Sequence, residues 1–107
     1  MNRVSWTFAL IFIVSVLVSA TTPSKGNPDK GRNIFRQTCK NCHAKGGAGG
    51  EITPLNMTAG QWRTYFEKGK HAKGTLLQVM SEQNLRDVKV FLVAHAVDSE
   101  HPETCGR

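Results

Sequence analysis

Cys39-Lys40-Asn41-Cys42-His43 (CKNCH) decides how this chain is read. Two thiols three residues apart, with an imidazole directly after the second, suit one chemistry closely. Each thiol adds across a vinyl group on a porphyrin edge, and the imidazole turns to the iron as proximal ligand. In that role His43 needs an acceptor for its other ring nitrogen, which fixes the tautomer. Two rivals use the same residue types. A thioredoxin-like C-x-x-C pair belongs to a βαβ pattern in a larger domain, and no such pattern occurs here. A zinc site from Cys39, Cys42, His43 and Cys105 has enough donors, yet adjacent Cys42 and His43 sit awkwardly around one tetrahedral ion, where paired ligands are normally spaced apart. The pentapeptide is therefore read as the attachment site of one covalent haem c, an iron cofactor.

The rest of the chain is short of core. Residues 1–20 carry Arg3, an apolar run from Phe8 to Val18 and the small residues Ser19-Ala20. That is the layout of a secretory signal peptide, with cleavage expected after Ala20 and a periplasmic or extracellular destination. Retention as an anchor is the alternative, although the run is shorter than the roughly 20 apolar residues of a membrane span and is dotted with Ser and Thr. Cleavage leaves 87 residues with thirteen basic and eight acidic side chains, a net charge of +5. A domain of this size buries only about 60–65% of its unfolded surface and usually needs a staple such as a disulfide, a metal or a cofactor. Three cysteines, an odd number, do not make a disulfide framework.

Residues 21–28 read as a flexible leader, 29–98 as the domain and 99–107 as an irregular tail. Asn27-Pro28-Asp29 is a helix start, with Asn as N-cap and Pro in the first turn. The helix is expected to run to about Thr38 and deliver Cys39 at its end. Gly31 and Phe35, four apart on one face, suit a close helix crossing. Residues 44–50 (AKGGAGG) hold four glycines and form a loop. Thr58 with Gln61 makes a capping box, and Met57 with Trp62 a hydrophobic staple. The helix they start should run from Ala59 to about Lys68, with Trp62, Tyr65 and Phe66 inward and Gly69 as its stop. Ser81 caps a third helix, where Leu85, Val88, Phe91 and Leu92 keep helical spacing to an end near Asp98. Three helices without a convincing strand give an all-α fold around the haem.

With those residues in place, 29–98 resembles a small single-haem class I c-type cytochrome. Gly31 and Phe35 resemble that fold's glycine/aromatic pair, with Phe91 as partner on the last helix. The resemblance also implies that the Pro54 carbonyl accepts from the proximal imidazole and that Leu55 packs on the haem. The stretch from Trp62 through His71 to Phe91-Leu92 is similar to haem domains of the dihaem cytochrome c family, in which a His follows the Trp as ligand. Only one C-x-x-C-H is present, so one haem is expected.

His71 is the preferred second axial ligand because it follows Gly69 in a loop able to lie across the haem. Met80 and Met57 are the alternatives, each already serving as the apolar residue before a helix cap. His95 is expected to meet carbonyls or face the surface, and His101 to be solvated. A His43/His71 pair implies a lower potential than His/Met. The chain then reads as an exported electron-transfer carrier and not an enzyme, since no constellation of catalytic side chains is recognisable. A haem sensor or gas-binding module with a displaceable sixth ligand, and a subunit of a multi-haem electron conduit, are the rival readings. Residues 25–73 carry ten basic and three acidic side chains, whereas 74–107 carry three and five. Lys40, Lys45, Lys68, Lys70 and Lys73 around a haem edge would steer an acidic redox partner. An exported chain without aromatic–basic interleaving is not read as binding nucleic acid. Cys105, left over from attachment, is available for a disulfide-linked dimer or a bond to a partner.

Overall fold

A computed structural model describes residues 25–104. The expected signal peptide, the first part of the leader and Cys105 lie outside the described residues. Asn27 opens the first helix, its side chain accepting from the amides of Asp29 and Lys30, with Pro28 in the first turn. Helix α1 (Pro28–Ile34) does not end before the cysteines. It passes through a π turn (Phe35–Cys39), where the Lys40 N–H reaches back to the Phe35 carbonyl, and continues as α2 (Lys40–His43). The expected end near Thr38 is thus too early. The following loop folds back and satisfies the last carbonyls: Gly49 N–H donates to Cys42 at 2.8 Å and Ile52 N–H to His43 at 2.9 Å.

Helix α3 (Ala59–Lys68) starts at Thr58 with both halves of the capping box made, and stops at Gly69, whose φ of 63° is left-handed. A two-residue ribbon follows, β1 (Lys70–His71) antiparallel to β2 (Gly74–Thr75), with His71 opposite Gly74. Helix α4 (Glu82–Ala94) is capped by Ser81. The described domain is helical, as expected of a small cytochrome c-like fold.

The chain leaves α4 at Ala94 rather than near Asp98, because the next residues bond elsewhere. Val97 N–H reaches the Met57 carbonyl at 3.3 Å, and the Asp98 carboxylate accepts from Ala59 N–H at 2.8 Å. The tail is irregular but tied down. Glu103 pairs with Arg32 at 2.7 Å and lies 3.1 Å from His95 Nδ1, and that nitrogen is also 2.7 Å from the His101 carbonyl.

Phe35, Trp62, Val88, Phe91, Leu92 and Ala96 form the buried core. Helix α1 crosses α4 at Gly31, where a β-carbon would overlap the Asp87 carbonyl. Phe35 and Phe91 meet beside that crossing with ring centroids 5.8 Å apart. Buried Asp87 accepts from the Asn27 N–H at 2.9 Å and so ties the start of α1 to α4. This crossing fixes the direction in which the helix carries Cys39, Cys42 and His43.

Candidate functional site

One cavity of about 350 Å³ collects residues from the π turn, α2, α3, β1, α4 and the loops between them. The first helical segment contributes Phe35, Thr38, Cys39, Cys42 and His43; α3 contributes Trp62, Tyr65 and Phe66; α4 contributes Leu85, Val88 and Leu92. The ribbon adds Lys70, His71 and Ala72. Apolar side chains dominate this wall, as expected of a site for a large, flat, mostly apolar group. Cys39 and Cys42 are not bridged to each other. Among the described residues, no group of three or more His, Cys, Asp or Glu is arranged to hold a metal ion.

His43 is positioned from behind by the glycine loop. Its Nδ1 lies 3.1 Å from the Gly49 carbonyl and 3.2 Å from that of Gly50. A neutral imidazole facing two acceptors carries its proton on Nδ1 and keeps its lone pair on Nε2. The loop can come this near because Gly49 has no side chain: a β-carbon there would stand 2.6 Å from His43 Cε1. Pro54, whose carbonyl is expected to serve the proximal imidazole, has another donor in the structure. Its carbonyl accepts from Trp62 Nε1 at 2.9 Å instead. A buried indole N–H needs an acceptor, and the glycine loop already supplies His43 with two. Leu55 is likewise not part of the cavity wall, which takes Ile52 from this stretch.

His71 sits half-buried in β1, with Nδ1 2.9 Å from Tyr65 Oη. Its ring centroid is 6.0 Å from that of His43, and the two ring planes stand 76° apart. Met57 and Met80 line the same cavity and pack against the core. His95 and His101 lie away from it; His95 meets a carbonyl as expected, and His101 is exposed. Burial pushes the Tyr65 phenol above its ordinary pKa, with a smaller contribution from negative charge on Cys39, so it remains a protonated hydroxyl at neutral pH. Helical spacing places Tyr65 inward but says nothing of His71. The turn at Gly69 and the ribbon bring together two residues six apart in sequence.

The side chains present fit a covalently held haem. Two thiols and two imidazoles reach one apolar cavity, and the loop behind His43 is a cradle that a β-carbon would fill. Comparison with known proteins agrees. Residues 26–92 match the family described as cytochrome c oxidase, cbb3-type, subunit III. No curated protein and no solved structure matches the chain significantly.

Proposed function

The chain belongs to the cytochrome c oxidase, cbb3-type, subunit III family, a family of c-type cytochrome domains that transfer electrons, and from this we propose an exported single-haem carrier with its iron between His43 and His71. The 6.0 Å separation of the two imidazole centroids carries this reading. Two imidazoles facing one metal, each nitrogen about 2 Å from it, have centroids about 6 Å apart. Both rings have Nδ1 occupied by a neighbour, which reserves Nε2 on each for the metal.

Haem, when bound, supplies an iron that alternates between the ferric and ferrous states. Cys39 and Cys42 would hold it to the chain, and His43 and His71 would both ligate its iron, which suits the metal to exchanging electrons. Phe35, Trp62, Val88 and Leu92 exclude water, which limits reorganisation as the charge changes. Two strongly donating imidazoles favour the ferric state relative to a His/Met pair and set a low potential. Exposed Lys45, Lys68, Lys70 and Lys73, with exposed Leu77 and Val79, give an acidic redox partner a basic and partly apolar surface. Export rests on residues 1–20 and accords with the extracytoplasmic or membrane-anchored setting typical of such domains.

The test is the ferric absorption spectrum of holoprotein variants. His71→Ala should turn a low-spin spectrum high-spin and open the iron to added imidazole, while Met57→Ala and Met80→Ala leave it low-spin. Conversion by Met80→Ala with no effect of His71→Ala would assign the sixth position to sulfur and overturn the proposal.

A further inference from the structure

We infer that Tyr65 is a positioning residue for the second axial ligand: its hydroxyl oxygen accepts the Nδ1 proton of His71, holds the ring with Nε2 toward the iron and strengthens it as a donor. The inference rests on the reading of His71 as that ligand. Tyr65 Oη lies 2.9 Å from His71 Nδ1, within hydrogen-bond range. Either tautomer would make this contact in the absence of metal. Once Nε2 gives its lone pair to a metal, however, the proton must reside on Nδ1, and the tyrosine oxygen becomes the acceptor.

The tyrosine is well placed to impose that geometry. It stands on α3, a capped ten-residue helix, one turn before the Gly69 stop. Its ring is wedged between Trp62, edge-on with centroids 6.1 Å apart, and Phe66, edge-on at 5.4 Å. His71 lies in a two-residue strand whose ladder sets Lys70 opposite Thr75 and His71 opposite Gly74. The tyrosine on the long helix therefore orients the imidazole on the short ribbon. The same arrangement is found on the other side, where the Gly49 and Gly50 carbonyls hold His43. A side-chain hydroxyl is a weaker acceptor than a pair of carbonyls, which makes His71 the ligand of the two that is more readily displaced. Groups that orient a metal-bound His typically alter its affinity 10–100-fold when removed.

Tyr65→Phe keeps the ring and its packing and removes only the oxygen, so it separates positioning from folding. In the ferrous holoprotein, carbon monoxide must displace His71 to bind. Tyr65→Phe should remain low-spin, bind carbon monoxide roughly 10–100-fold more tightly and show a midpoint potential shifted upward, because a weaker donor stabilises the ferric state less. In a His71→Ala background, where the ligand is already absent, the same change should leave carbon monoxide affinity unaltered. An unchanged affinity and potential in Tyr65→Phe would overturn the inference, as would an equal gain in both backgrounds, which would place the effect on the pocket and not on His71. If His71→Ala itself stays low-spin, the ligand assignment fails and the inference falls with it. If His71→Ala becomes high-spin while Tyr65→Phe matches the parent, only the role of Tyr65 is lost.

Discussion

A methyl group on Gly49 would stand 2.6 Å from His43 Cε1 and 2.7 Å from Nδ1, well inside van der Waals contact. Either the loop retreats and takes its carbonyls with it, or the imidazole turns. Both outcomes loosen the proximal ligand while leaving the attachment cysteines in place. Gly49→Ala is therefore expected to yield covalently attached haem with a mixed-spin ferric spectrum and a tenfold or greater gain in binding of added imidazole. Optical titration checks this, and a spectrum and titration matching the parent would show that the loop adapts without cost. A β-carbon on Gly50, whose φ is 75°, would meet nothing within 4 Å, so alanine there tests the left-handed backbone conformation and not a clash.

The helix crossing carries the fold at the next scale. A β-carbon on Gly31 would overlap backbone of α4, which cannot rotate aside as a side chain can, so α1 and α4 must separate. Gly31→Ala should cost about 3 kcal/mol, the upper part of the range for overpacked cores, and lower the melting temperature of the holoprotein by roughly 10–20 °C. A loss below about 5 °C in calorimetry would mean that the helices slide past one another instead. Half of this crossing was legible in the sequence, because Gly31 and Phe35 set a small residue beside a large one at helical spacing; Phe91 as their partner followed from the family resemblance. The caps at Asn27, Thr58 and Ser81 were legible too, since each is a contact between a side chain and backbone two or three residues away. What was not legible depends on distant partners. The end of α4 is set by Met57 and Ala59, about 40 residues earlier. The donor to the Pro54 carbonyl is the Trp62 indole eight residues on, and no local pattern pointed to it. At the site, the C-x-x-C-H spacing pointed to Cys39, Cys42 and His43, whereas the service of Tyr65 to His71 required the turn between them.

For the whole molecule, charge is distributed unevenly along the chain, at +7 over residues 25–73 and −2 over 74–107. Electron exchange with an acidic partner should therefore slow as ionic strength rises and screening shortens the reach of the lysines. Lys70→Glu with Lys73→Glu should flatten that dependence in stopped-flow measurements at several salt concentrations. A rate indifferent to salt in the parent would exclude steering by this face. Length is constrained differently. In an unbroken α-helix successive side chains turn by about 100°, so the residue seven beyond Phe35 returns nearly to its line. That residue is Cys42, yet Cys42 is exposed and His43 is half-buried. The π turn absorbs one residue and advances His43 into line with Phe35. The segment therefore contains one residue of slack. Deleting exposed Gln37 should restore a regular helix with His43 seven places after Phe35, and the unfolded protein should still carry haem by mass spectrometry. Inserting an alanine at the same point should throw the imidazole about 100° out of phase and abolish low-spin coordination. If the deletion also abolishes it, the wide turn serves more than spacing. If it does not, this helix tolerates losing a residue where it cannot tolerate gaining one.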